Sequence, residues 1–287
     1  LRQAAPTADA RPRAVVAPVL AAPNRAALAQ VPIVQGYGPL VPATLAALLG
    51  PQRGANEIGL VDAATLTDPA SHALDLLRVG LVGVPASRPD LPGRAALDDT
   101  GRWRALDAPA GATLRFFVNG RARPVAWLVD RARVADDAET LRLVTAGGDA
   151  FDSAREALVS APVAGLTPFP PGTAGSVTLG RYDEDELLLH VSAPAQALLV
   201  TSELSFPGWS AEVDGRPAPL LDVNGGFRAL VVPAGRHLVQ LAYRPLAGRI
   251  GLAISALALL VLAWCAASSL RGRRGAAGRT PAPSRGS

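Results

Sequence analysis

LLVTSELSFPGWSAEVDGRPAPLLDVNGGFRALVVPAGRHLVQLAYRPLAGR, residues 198–249, runs directly into IGLAISALALLVLAWCAASSL, residues 250–270. The first stretch alternates short apolar runs with turn residues; the second is 21 residues long without a charged side chain. Strands are predicted at 175–181, 186–192, 196–202, 209–213, 217–223, 226–232 and 236–243, with Asp214-Gly215 and Asn224-Gly225 supplying the positive φ angles of tight hairpin turns. Seven short strands with regularly spaced turn signals describe an antiparallel β-sandwich or jelly-roll-like domain over 170–245. In 226–232, alternation sets Phe227, Ala229 and Val231 on one face and Arg228, Leu230 and Val232 on the other.

The apolar stretch is long enough to cross the roughly 30 Å hydrocarbon layer as a helix. Ile250, Leu252, Ile254, Leu257, Leu259, Leu260, Val261 and Leu262 each favour insertion by about 0.3–0.6 kcal/mol near the centre of a span. A core helix of a soluble domain is usually shorter and keeps a polar face, which this one lacks. A signal peptide is excluded by its position. Arg271, Arg273, Arg274 and Arg279 crowd the C-terminal side, against Arg244 and Arg249 before the span. The positive-inside bias therefore puts 271–287, a disordered basic tail, in the cytoplasm and residues 1–249 outside.

The chain carries 28 basic residues, all Arg, and 24 acidic ones, for a net charge of +4. The surplus is small and partly in the tail, and no basic patch interleaved with aromatics marks a nucleic-acid binder. Cys265, the only cysteine, lies in the span, so neither a disulfide framework nor a cysteine metal site exists. An external domain must be exported, so the chain is expected to be the C-terminal part of a longer membrane protein whose translocating segments and membrane core lie upstream.

Before the sandwich, residues 1–29 read as a poorly ordered or partly strand-like lead-in, and 30–165 as an α+β extracytoplasmic domain. Pro42–Leu49 is a predicted helix ended by Gly50. Asp68 with Pro69 opens a second that runs to Leu77. Strands are expected at 81–84, 112–118, 124–129 and 157–159. Asp136 caps a helix with Glu139 three residues on, and Gly147 stops it, so Asp136, Asp137 and Glu139 read as helix-start residues. The fold class is mainly β with some α, followed by one transmembrane helix at 250–270.

Phe206-Pro207-Gly208-Trp209, Val213-Asp214-Gly215, Asn224-Gly225-Gly226-Phe227-Arg228, Val232-Pro233-Ala234-Gly235-Arg236-His237 and Tyr243-Arg244-Pro245, in that order before a terminal span, resemble the C-terminal region of the bacterial YfhO family. Gly36-Tyr37-Gly38-Pro39-Leu40, Leu74–Val79 and Pro124–Val129 also look like segments of that family. Phe151-Asp152 resembles its Phe-Asp-Pro element, with Ser153 in place of the proline. The resemblance covers roughly residues 30–270. It implies a multi-spanning protein related to glycosyltransferases that use polyprenyl-phosphate sugars, with the catalytic acid on an early external loop that this chain lacks. The implied whole protein takes a lipid-linked sugar donor and works in envelope glycan or glycolipid synthesis; this chain would be its external accessory domain and last span. The alternative is a membrane-tethered β-sandwich that binds envelope glycans or proteins without catalysis.

No catalytic, cofactor or metal residue is assigned within the chain. Asp183-Glu184-Asp185-Glu186 could attract a hard cation, but adjacent carboxylates point apart, and a solvated turn is the favoured reading. His72, His190 and His237 are scattered singly. Ser202 and Ser205 lack a nucleophile-elbow context. Two residues remain as possible glycan or acceptor contacts. Trp209 is either a stacking platform or a core plug, with the plug favoured. Arg228 has a fork able to grip a carboxylate or phosphate but more commonly is a plain exposed strand residue.

Overall fold

The computed structural model describes residues 13–16, 43–49, 68–91, 93–245, Gly248, Ile250, Gly251 and 254–264. The described chain is mainly β and divides into two compact units: residues up to Phe206 with Ser210–Ala242, and Pro207–Trp209 with the residues from Tyr243 on.

Three sheets build the larger unit. The first has the order β1-β2-β4-β3, where β1 is Arg13–Val16, β2 Val79–Pro85, β3 Trp103–Ala105 and β4 Leu114–Asn119. β1 lies parallel to β2, and the other pairs are antiparallel. The second sheet has the order β5-β10-β14-β13-β7-β6, with β5 Ala126–Val129, β6 Arg131–Val134, β7 Glu156–Val159, β10 Ala197–Leu204, β13 Leu221–Val223 and β14 Phe227–Val232. The third, order β12-β11-β15-β9-β8, holds β8 Ser176–Tyr182, β9 Glu186–Ala193, β11 Trp209–Val213, β12 Arg216–Ala218 and β15 Gly235–Tyr243. Helices α1 (Ala43–Leu48), α2 (His72–Leu76) and α3 (Asp137–Thr145) and a short 3-10 turn, Arg94–Asp98, complete the described elements.

The third sheet behaves as an amphipathic sheet should. Leu187, Leu189, Val191 and Ala193 of β9 and Val239 and Leu241 of β15 are buried, while the residues between them are more exposed. The second sheet does not alternate, because β10 and β14 are covered on both faces. Leu198, Val200, Phe227 and Ala229 join one large core with Leu74, Leu76, Leu77, Val82, Phe117 and Leu158. The opposite row, Leu199, Leu230 and Val232, is buried as well. Strands from before residue 165 (β5, β6, β7) and from after it (β10, β13, β14) thus share one sheet and one core.

Differences from the sequence reading have local causes. The stretch 217–223 is two strands, because Pro219 lacks a backbone donor and the chain passes there from β12 in the third sheet to β13 in the second. Asp68 does not cap α2. Its carboxylate accepts from Ala70 N at 2.9 Å and its carbonyl from Ser71 N at 3.0 Å, closing a turn, and Ser71 caps the helix by accepting from Ala73 N. β3 and β6 have no apolar alternation to announce them. The lead-in contributes β1, while the rest of 1–29 and the Gly36–Leu40 segment lie outside the described residues. Asp136 does cap α3, accepting from Glu139 N at 2.8 Å. Gly147 follows the helix where a Cβ would stand 2.8 Å from the Ala70 carbonyl oxygen, so the close approach of two loops demands glycine there.

Asp214-Gly215 forms a two-residue hairpin loop with φ of 53° and 75°, the values its sequence requires. Asn224, at φ 54°, opens the loop between β13 and β14 and also bridges to β7: its backbone N–H donates to Leu158 O at 2.9 Å and its Oδ1 accepts from Leu158 N at 2.7 Å. Asn224→Ala leaves the buried Leu158 N–H without its acceptor, at about 1–3 kcal/mol, and gives up asparagine's tolerance of the left-handed region, at about 1 kcal/mol. Urea denaturation is expected to show a loss of about 2–4 kcal/mol; a loss under about 0.5 kcal/mol, the range of an ordinary surface change, contradicts this bridging role.

Candidate functional site

Two polar constellations stand in the larger unit. The first centres on Glu203 near the end of β10. Its Oε1 accepts from Arg13 Nη2 of β1 at 2.7 Å and from the Tyr182 hydroxyl of β8 at 2.5 Å. Arg13 also donates through Nη1 to the Leu77 and Ser202 carbonyls at 3.3 and 3.1 Å. Arg78 lies with its guanidinium 5.3 Å from the Tyr182 ring centre and its Nη2 3.5 Å from the hydroxyl. Arg78 has φ 59°, a strained conformation for a long side chain.

Arg228 belongs to the same electrostatic neighbourhood. Burial lowers its pKa to about 10, opposed by the pull of Glu203 and Tyr182 and assisted by the repulsion of Arg13. Burial also lowers Arg78, whereas for Arg13 burial, the largest single effect, is outweighed by Glu203 and Tyr182 together and the pKa is raised. Burial and then the Glu203 charge raise the Tyr182 phenol, which keeps it protonated as the donor to that carboxylate.

The second constellation lies on α2. Asp75 is 1% exposed, and its Oδ1 accepts from Arg102 Nη2 at 2.8 Å and Asn119 Nδ2 at 2.7 Å. Burial pulls its pKa up, but His72 at 3.7 Å, Arg102 and Asn119 together hold it below the ordinary aspartate value. His72 Nε2 pairs with Gly148 O at 2.9 Å, and the ring meets Phe151 edge-on at 5.7 Å. His72, Asp75, Gly148 and Phe151 line a cavity of about 420 Å³ whose wall also includes Arg121, Arg123, Asp149, Asp152 and Ser153. Cationic and anionic groups on one small polar wall suit a ligand that donates and accepts hydrogen bonds alternately, as a sugar does.

Of the residues singled out from the sequence, Arg228 is 3% exposed, buried on β14 and not an open strand residue. Trp209 is half-buried, its ring centre 5.5 Å from that of Tyr243 at 42°. Arg228 belongs to the larger unit and Trp209 to the smaller. The acidic run 183–186 is a turn closed by Asp183 N to Glu186 O, and Arg181 binds both Asp183 at 2.5 Å and Glu186 at 2.9 Å. Among the described residues no cluster of His, Cys, Asp and Glu could hold a metal ion. His237 pairs with Asp214 at 2.7 Å; that hydrogen bond raises the imidazole pKa and lowers the carboxyl, fixing the hairpin to β15. Ser202 is fully buried, with its hydroxyl on the Val125 carbonyl at 3.4 Å.

Sequence reasoning missed both constellations. His72 and Asp75 were within reach, since a three-residue spacing on a helix places them on one face. Arg13, Arg78, Tyr182 and Glu203 were not, because the sheets that bring them together draw on segments up to 190 residues apart.

Residues 175–255 match the family model described as bacterial membrane protein YfhO, a stretch that begins just before β8 and ends in the C-terminal helix. Neither a curated protein nor a solved structure matches the chain.

Removing the charge at Glu203 should be felt throughout the larger unit. A fully buried broken pair costs about 3–5 kcal/mol; Arg13 and Glu203 keep about a fifth of their side-chain surface exposed, so Glu203→Gln is expected to lose about 2 kcal/mol in chemical denaturation. A variant as stable as the parent contradicts the role assigned to this carboxylate.

Proposed function

We propose that the chain, whose residues 175–255 match the family model described as bacterial membrane protein YfhO, is the external accessory domain and last membrane span of a larger protein. That protein transfers sugars from a polyprenyl-phosphate carrier to an envelope glycan or glycolipid. The observation that carries the reading is the passage of the family segment from β15 into an apolar helix. At 254–264 Leu257, Leu259, Leu260 and Leu262 are each more than 60% exposed, a surface that water does not suit.

Among the described residues no helix is long and apolar enough to cross a membrane. The 11 helical residues 254–264 rise only about 16 Å. The uncharged sequence continues to Leu270, and the proposal is that the whole of 250–270 is helical in lipid and spans it. The Arg-rich tail then lies in the cytoplasm and the sheets outside.

The domain's part is to position the acceptor, and the cavity over His72 and Asp75 is its proposed seat. The chemistry belongs to the membrane core of the complete protein. In membrane vesicles holding that protein and a labelled polyprenyl-phosphate sugar, the Arg121→Ala, Asp152→Ala double variant should raise the acceptor KM about fivefold or more with kcat within about twofold. Loss of kcat at unchanged KM contradicts a positioning role. Specific glycan binding with no transfer at all favours the tethered binding module instead.

A further inference from the structure

The smaller unit joins a loop to the base of the apolar helix. Pro207–Trp209 clusters with the chain from Tyr243 on, where β11 starts and β15 ends. Arg244 donates its backbone N–H to Gly208 O at 2.7 Å. The Trp209 and Tyr243 rings meet at 5.5 Å. Gly208, at φ 106°, passes so close that a Cβ would stand 2.9 Å from the Tyr243 ring and 3.2 Å from Pro245 Cα. The sequence Pro-Gly-Trp is therefore what lets this loop lie flat on the segment that enters the helix.

Tyr243 is 39% exposed, and Arg244 is exposed beside it. A few residues on, large apolar side chains open to the surroundings from Ile250 to Trp264. Tryptophan and tyrosine concentrate at the level of lipid headgroups, where the ring meets acyl chain and the N–H or O–H meets water. An exposed arginine in the same place meets lipid phosphate. Tyr243 covers part of the Trp209 ring, which leaves a poor platform for a sugar.

We infer that Trp209 and Tyr243, with Arg244, form an aromatic collar that sits in the outer headgroup layer and fixes the depth at which the helix enters the bilayer. The partner is the lipid surface, and the inference rests on reading 250–270 as a span. Trp103 and Trp127 are buried in the core of the larger unit, so the remaining tryptophans, Trp209 and Trp264, report separately on collar and helix.

The test is fluorescence quenching of the full chain in phosphatidylcholine–phosphatidylglycerol vesicles, with a spin label either on the headgroup or at the end of the acyl chain. Trp209→Phe and Trp264→Phe assign the two signals by difference, and the emission of Trp103 and Trp127 checks the fold. The headgroup label is expected to quench the Trp209 signal more than the deep label does, and that quenching should be lost in Trp209→Phe. Gly208→Ala, which pushes the loop off Tyr243, should weaken headgroup quenching of Trp209 and leave Trp264 unchanged. A Trp209 signal quenched by neither label while Trp264 is quenched overturns the collar and leaves the span standing. If neither is quenched, span and collar both fall; Trp209 quenched without Trp264 removes the span and, with it, the collar's part in setting the depth of the helix.

Discussion

The carboxylate of Glu203 is the point where the three sheets of the larger unit are tied together. It stands on β10 of the six-stranded sheet and binds Arg13 from the four-stranded sheet and Tyr182 from the five-stranded one. Arg78 and Arg228 crowd the same charge. Guanidinium groups tolerate burial only when a negative charge and hydrogen-bond acceptors stand close by. One carboxylate therefore fixes where β1, β8 and β10 end relative to one another. Apolar packing supplies most of the stability, but it is indifferent to small shifts of one sheet along another; a bond of 2.5–2.7 Å is not.

The same frame sets up the cavity. Ser71 caps α2, and Asp75 within it accepts from Arg102 and Asn119, while Arg123 donates its backbone N–H to the Asp75 carbonyl. His72 and the backbone of Arg123 are thereby held by bonds that converge on the buried Asp75. A site of that kind presents its polar groups in fixed directions, which is what orienting a hydroxyl-rich acceptor needs. In the smaller unit Gly208 accepts from the Arg244 N–H and the Trp209 ring meets that of Tyr243, where the chain leaves β15 for the apolar helix.

Much of the C-terminal half was legible beforehand. Short apolar runs between turn signals located β8, β9 and β15, and Asp214-Gly215 and Asn224-Gly225 marked turns whose φ angles are positive in the structure. The ordered family motifs located the segment that the YfhO model matches. Strand pairing across the chain was not legible. Nothing in Ala126–Val129 reveals that its partner is β10, and Pro219 reads as a turn residue without revealing that it carries the chain between sheets. Arg228 was misjudged as exposed for the same reason: alternation assigns a face, but only the third sheet and Tyr182 decide whether that face is covered. The ring contact of Trp209 was not legible either, because its neighbour Tyr243 is 34 residues away.

The central claim is that the sheets lie outside the cell membrane and that the chain crosses it after Arg249. Protease added to intact spheroplasts tests this directly. The account predicts that residues 1–249 are digested while a tag after Ser287 survives on a short membrane-embedded fragment. Protection of residues 1–249 with loss of the C-terminal tag would contradict it.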